Sequence, residues 1–179
     1  MLKKIIFIIL LTNMANNNVD KKIDYNDLDI YSNYLKGWEG FSEKAYKPVE
    51  SEQNFTIGYG HYGSDVNIDD VITEEGAHNL LREDINKRLP VIKGSIPNFD
   101  GLPMDLKKNI VSSWFRGSLS GSPKTIELIN QGKYKEASEE FLKNKEYENA
   151  AELGKSGIIK RMDATSKSLF DFGDTLEKE

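Results

Sequence analysis

The chain has 179 residues, a formal net charge of −5, two histidines and no cysteine. That length suits one domain burying about two-thirds of its unfolded surface. The absence of cysteine excludes disulfides, thiolate metal sites and thiol nucleophiles. The acidic balance, with Lys and Arg scattered among Asp and Glu, argues against nucleic acid as a partner, and His61 and His78 alone are too few for a histidine-based metal site.

Residues 1 to 22 open with Lys3 and Lys4, followed by an apolar run from Ile5 to Leu11 and a polar stretch from Thr12. This is the pattern of an export signal, or of an N-terminal apolar segment lying at an interface. It is too short to span a bilayer, which takes about 20 apolar residues, so stable membrane insertion is not expected. Residues 23 to 179 are read as the folded domain.

Leu28, Tyr31, Leu35 and Trp38 recur at helical spacing, with Asn26 as a cap and Gly40 as a stop. Two strands, Lys44 to Val49 and Phe55 to Tyr62, flank a polar loop, Glu50 to Asn54, which predicts a hairpin. Thr73 with Glu74 and Glu75 starts a helix whose apolar positions Ala77, Leu80, Leu81, Ile85 and Leu89 run as far as Pro90. Beyond the breaking stretch "SIPNFDGLP", Leu106, Ile110, Val111 and Trp114 mark another helix. Ser122-Pro123 is a cap followed by proline at the first helical position, opening a short helix that stops at Gly132. Ala137, Phe141 and Leu142, then Ile158 to Phe172, complete the helical part. The fold class is α+β: a small hairpin lobe beside a larger helical lobe, with a binding cleft expected between them.

The stretch "WEGFSEKAYKPVESEQNFTIGYGHYG", residues 38 to 63, carries the chemistry. Glu39 follows a helix whose negative dipole end, together with Leu35 and Trp38, disfavours an ionised carboxyl; such an acid can protonate a leaving group. Glycoside hydrolysis needs a second carboxylate across the bond, and the hairpin loop offers Glu50 and Glu52. On the second strand, period-2 alternation puts Phe55, Ile57, Tyr59 and His61 on one face and Thr56, Gly58, Gly60 and Tyr62 on the other. The glycines mark either room for a bulky ligand such as a sugar ring or tight packing against a helix.

The pattern "E-G…A-Y…T-I-G-Y-G-H" resembles the active-site segment of the phage-type lysozymes, glycoside hydrolase family 24. The resemblance continues through "ITEEGAHNLLREDI" (72–85), "KKNIVSSWFRGSLSGSPKTIELINQGKYKEA" (107–137) and "GIIKRMDATSKSLF" (157–170), where Arg161 stands in the place of a family arginine. It covers residues 25 to 172. It implies a lysozyme-like α+β fold and a muramidase cutting the β-1,4 bond between N-acetylmuramic acid and N-acetylglucosamine. The partner is then the glycan strand of peptidoglycan, with no cofactor or metal, and a monomer is expected. It also implies an endolysin at work in the periplasm or cell wall, exported there or released at host lysis.

By family position the acid falls on Glu39 and the water-positioning hydroxyl on Thr56, with substrate contacts at Tyr62 and Phe115. Arg116, in "WFRG", either touches the glycan or covers the helix surface. The sequence departs from the family at the hairpin acid. The usual place, two residues after Tyr46, is Pro48. The usual interval from Thr56 gives Glu50; a branch of the family with similar "Y-K-P-V" and "T-I-G-Y-G-H-Y-G" wording gives Glu52, which is preferred. A longer loop with room for a water, and a Thr to hold it, points to inversion at the anomeric carbon. Two alternatives remain: a glycan-binding, lysozyme-like virion protein with impaired catalysis, and a lytic transglycosylase on the same architecture.

Overall fold

The computed structural model describes residues 25–178, so the apolar N-terminal segment lies outside the described residues. Among the described residues seven α-helices and a three-stranded sheet follow in the order α1 (Tyr25–Lys36), β1 (Ser42–Tyr46), β2 (Phe55–Gly58), β3 (His61–Gly63), α2 (Glu74–Ser95), α3 (Met104–Arg116), α4 (Pro123–Asn130), α5 (Tyr134–Phe141), α6 (Lys145–Glu152) and α7 (Ser156–Leu176). The strands make one antiparallel meander, β1-β2-β3. No described helix is long and apolar enough to cross a membrane.

The helical lobe is built around α3, whose inward positions Leu106, Ile110 and Val111 are buried. It packs against α1, α2 and α7. From α1 come Leu28, Tyr31 and Leu35; from α2 Ala77, Leu81, Ile85, Leu89 and Ile92; from α7 Met162 and Leu169. These spacings of three and four residues are the apolar stripe that drives an amphipathic helix onto a core.

Helix ends follow local chemistry. The Thr73 hydroxyl accepts from the Gly76 amide at 3.1 Å and caps α2. That helix runs past Pro90 to Ser95, five residues beyond the sequence expectation. Pro90 is exposed, so its missing amide costs one helical bond at the surface, while buried Leu89 and Ile92 hold the turn from inside. Helix α1 stops at Lys36, short of the expected Trp38. The amides of Trp38 and Glu39 both turn back onto the Leu35 carbonyl, at 2.8 and 2.9 Å. Ser122 precedes Pro123 as expected, but its hydroxyl donates to the Ser118 carbonyl at 2.8 Å instead of capping α4.

The expected second strand is two strands. Gly58 and Gly60 take left-handed backbone angles, φ +64° and +86°, and the chain reverses so that Ile57 pairs with His61. Alternation therefore ends at Gly58. The two explanations for the glycines divide between them. A Cβ on Gly58 would lie 2.9 Å from the Ala77 Cβ, so Gly58 permits close docking of the hairpin on α2. Gly60 opens toward the cleft.

Candidate active site

Glu39 sits in the turn between α1 and β1, where the hairpin lobe leaves the helical lobe. Its carboxyl is anchored from the far end of the chain. Arg161 on α7, 5% exposed, donates from Nη1 to Glu39 Oε1 at 2.6 Å. The same guanidinium donates from Nε to the Ser112 hydroxyl at 2.8 Å and from Nη2 to the Ser112 carbonyl at 3.1 Å. A planar guanidinium tied at three points has little freedom, so it fixes the carboxyl it touches. The other oxygen, Oε2, faces Gly60. A Cβ there would stand 3.8 Å from Oε2 and 3.9 Å from the Phe115 ring. The missing side chain thus leaves the space over the carboxyl open. The groove in front of it has a volume of about 330 Å³ and is lined by Glu39, Gly40, Phe41, Ser42, Tyr46 and Gly60.

Thr56 lies at the centre of the sheet, 5% exposed. Its register partners are Tyr46 on β1 and Tyr62 on β3. Directly paired residues point to one face of a sheet, so Tyr46, Thr56 and Tyr62 form a row with the hydroxyl of Thr56 between two exposed tyrosines.

The hairpin loop separates the two candidate acids. Glu50 is exposed. Glu52 is half-buried, and its Oε2 is cut off from solvent with no hydrogen-bond partner. An orphaned carboxylate oxygen is costly and rare in folded proteins, and such groups gather where a ligand or water completes the shell.

Phe115 is half-buried, packs on the helical core and carries the Arg88 guanidinium over its ring at 4.6 Å. Tyr62 is 49% exposed, and its hydroxyl accepts from the Asn54 amide at 3.4 Å. Arg116 pairs with Glu146 on α6, so the surface-covering reading of Arg116 is the one the geometry favours.

His61, at the start of β3, is a residue whose role sequence reasoning missed. Its Nδ1 lies 2.8 Å from buried Asp84 on α2 and its Nε2 3.2 Å from Asp65. Arg88 continues the chain by donating to the Asp84 carbonyl at 2.9 Å. This cluster staples the β3 end of the sheet to α2. Behind the groove, Tyr59 donates to Glu74 Oε1 at 2.8 Å, while Lys36 approaches the same oxygen at 3.5 Å. Burial and the Glu74 carboxylate both push the Tyr59 hydroxyl's pKa up. Among the described residues no group of three or more His, Asp or Glu side chains could hold a metal ion.

Known proteins resemble this chain in sequence and in fold. Over 153 residues the chain is 34% identical to the endolysin of Bacillus phage B103, which covers 80% of this chain and 53% of that protein. Over 144 residues it is 34% identical to the endolysin of Acyrthosiphon pisum secondary endosymbiont phage 1, covering 76% and 92%. The chain spans about half the length of the Bacillus phage endolysins it matches, 53% and 42%. In structure it is similar to the muramidase domain of SpmX from Asticaccaulis excentricus, with a TM-score of 0.56 over 83% of this chain and 97% of that one at 22% identity, a likeness of fold. Residues 36–165 match the profile of the phage lysozymes, and the chain belongs to the phage lysozyme family.

Proposed function

We propose that the chain is a peptidoglycan hydrolase of the endolysin type. It cuts the β-1,4 bond between N-acetylmuramic acid and N-acetylglucosamine and acts on the bacterial wall, reached by export or at host lysis. Glu39 is the general acid, Glu52 the carboxylate that takes a proton from the attacking water, and Thr56 the hydroxyl that positions that water. Tyr62 and the Phe115 edge beside Gly60 contact the glycan.

The observation that carries this reading is the asymmetry of the Glu39 carboxyl. Oε1 is held by Arg161, and Oε2 faces the open space left by Gly60. An acid fixed on one oxygen and open on the other can deliver a proton to a glycosidic oxygen in the groove. As the bond from the anomeric carbon to that oxygen breaks, water attacks from the opposite face. Its proton passes to Glu52, and the configuration inverts. The unpartnered Oε2 of Glu52 supports its choice over exposed Glu50.

Mass spectrometry of fragments released from purified peptidoglycan tests the reaction. A hydrolase leaves reducing N-acetylmuramic acid ends. Anhydro-muramic ends would identify a transglycosylase, and no release of fragments would identify a glycan-binding protein. NMR of the first product should show the α anomer; a β anomer would overturn inversion.

A further inference from the structure

The groove wall opposite the helical lobe is aromatic, and the proposed chemistry leaves it without a role. Phe41 and Tyr46 both line the groove with Glu39, and they are 42% and 44% exposed. Two exposed rings on the one groove that also holds Glu39 offer apolar area that a ligand seated there would bury.

Phe41 is held from behind. Its ring lies 5.5 Å from that of Tyr59, tilted by 43°. Tyr59 is itself buried, tied by its hydroxyl to Glu74, and has the Lys36 ammonium 5.2 Å from its ring centre. The packed partner restrains the ring of Phe41 before any ligand arrives, which lowers the entropy cost of binding. Tyr46 is the cross-strand neighbour of Thr56, and no group among the described residues hydrogen-bonds its hydroxyl. It therefore combines an apolar face with a free donor and acceptor at its edge.

A pyranose ring has the matching chemistry. Its axial C–H groups make an apolar face, while its hydroxyl and N-acetyl groups are polar at the rim. We propose that Phe41 and Tyr46 form a sugar platform on the hairpin wall, stacking on pyranose rings of the glycan strand beside the bond that Glu39 protonates. The proposal rests on the hydrolase reading above. It adds a determinant of glycan affinity on the β1 side of the groove.

The test is kcat and KM on soluble glycan strands prepared from peptidoglycan, with melting temperature as the control for folding. Phe41→Leu keeps an apolar side chain against Tyr59 but removes the ring. It should raise KM about tenfold with kcat changed by no more than about twofold, the signature of lost uniform binding. Tyr46→Ala should do the same, and Phe41→Tyr should keep the parent KM. An unchanged KM in Phe41→Leu overturns the platform, as does an equal rise in KM for Phe41→Leu and Phe41→Tyr. The two readings fail separately. Activity surviving in Glu39→Gln removes the catalytic assignment and leaves the KM test standing. An unchanged KM in Phe41→Leu beside an inactive Glu39→Gln removes the platform alone.

Discussion

Arg161 and Glu39 lie 122 residues apart in sequence and 2.6 Å apart in space. The pair joins the last helix to the turn that opens the hairpin lobe, so the position of the proposed acid depends on how α7 docks against α3 through Ser112. The Arg161 side chain is 6% exposed and that of Glu39 22% exposed, so the attraction is screened only weakly on the arginine side.

Replacing Arg161 should therefore cost both stability and activity. Arg161→Ala removes the three donors that reach the Ser112 hydroxyl, the Ser112 carbonyl and Glu39 Oε1, and should lower unfolding free energy by about 3 kcal/mol. Arg161→Lys keeps the charge but cannot make the three-point contact, and should recover less than half of the loss. Urea denaturation of the three proteins measures the stability losses, and a wall-clearing assay the loss of activity.

Glu52 should show the opposite relation between stability and activity. Its buried, unpartnered oxygen is an energetic cost to the fold. Glu52→Gln should melt no lower than the parent while losing wall-clearing activity, and Glu50→Gln should keep most of that activity. Calorimetry beside a turbidity assay reads both quantities. Loss of activity in Glu50→Gln alone would move the carboxylate role to Glu50.

Gly58→Ala should destabilise the hairpin lobe. It forces φ of +64° on an L side chain and puts its Cβ 2.9 Å from that of Ala77. The two effects together should cost about 2–4 kcal/mol. Pairing it with Ala77→Gly removes the clash but keeps the backbone strain, so coupling between the two changes in a double-mutant cycle isolates the steric part.

His78 gives a pH dependence with a definite sign. Burial pushes its pKa below the ordinary value of 6.5, and the charges of Lys36 and Arg82 push it the same way. The neutral ring lies 2.9 Å from the Ser32 hydroxyl. As pH falls through 6.5, the unfolded chain binds a proton that the folded chain does not, so stability declines until the folded-state value is passed. A His78→Gln protein should lose less stability than the parent between pH 7.5 and 5.5. Equal losses in the two proteins would contradict this.

The sequence made the elements legible wherever apolar spacing dominates: α1, α2, α3 and α7 lie where periodicity puts them except at their ends, and α4 lies between the Ser122-Pro123 start and the Gly132 stop. Two kinds of feature escaped it. Gly58 and Gly60 read as strand positions because alternation ignores backbone handedness, and only their positive φ reveals the turn. The extension of α2 past Pro90 depends on tertiary packing of Leu89 and Ile92, which local propensity does not weigh. At the candidate site, the motif points to Glu39 and Thr56, and family position to Tyr62 and Phe115; these assignments are proposals. The partnership of Arg161 with Glu39 was not legible, nor that of His61 with Asp84, because neither pair is close in sequence. Tyr46 belongs to the motif and Phe41 does not, but neither reads as a sugar contact in the sequence; only the groove brings the two together.

The central claim is that Glu39 supplies the proton. The most direct measurement is the rate of release of reducing ends from purified peptidoglycan by Glu39→Gln, with Thr56→Val as a companion and melting curves for both. General acid catalysis contributes about 10²–10⁴-fold, so Glu39→Gln should keep no more than about one-hundredth of the parent rate while retaining the fold. A folded Glu39→Gln protein with half the parent rate would contradict the account.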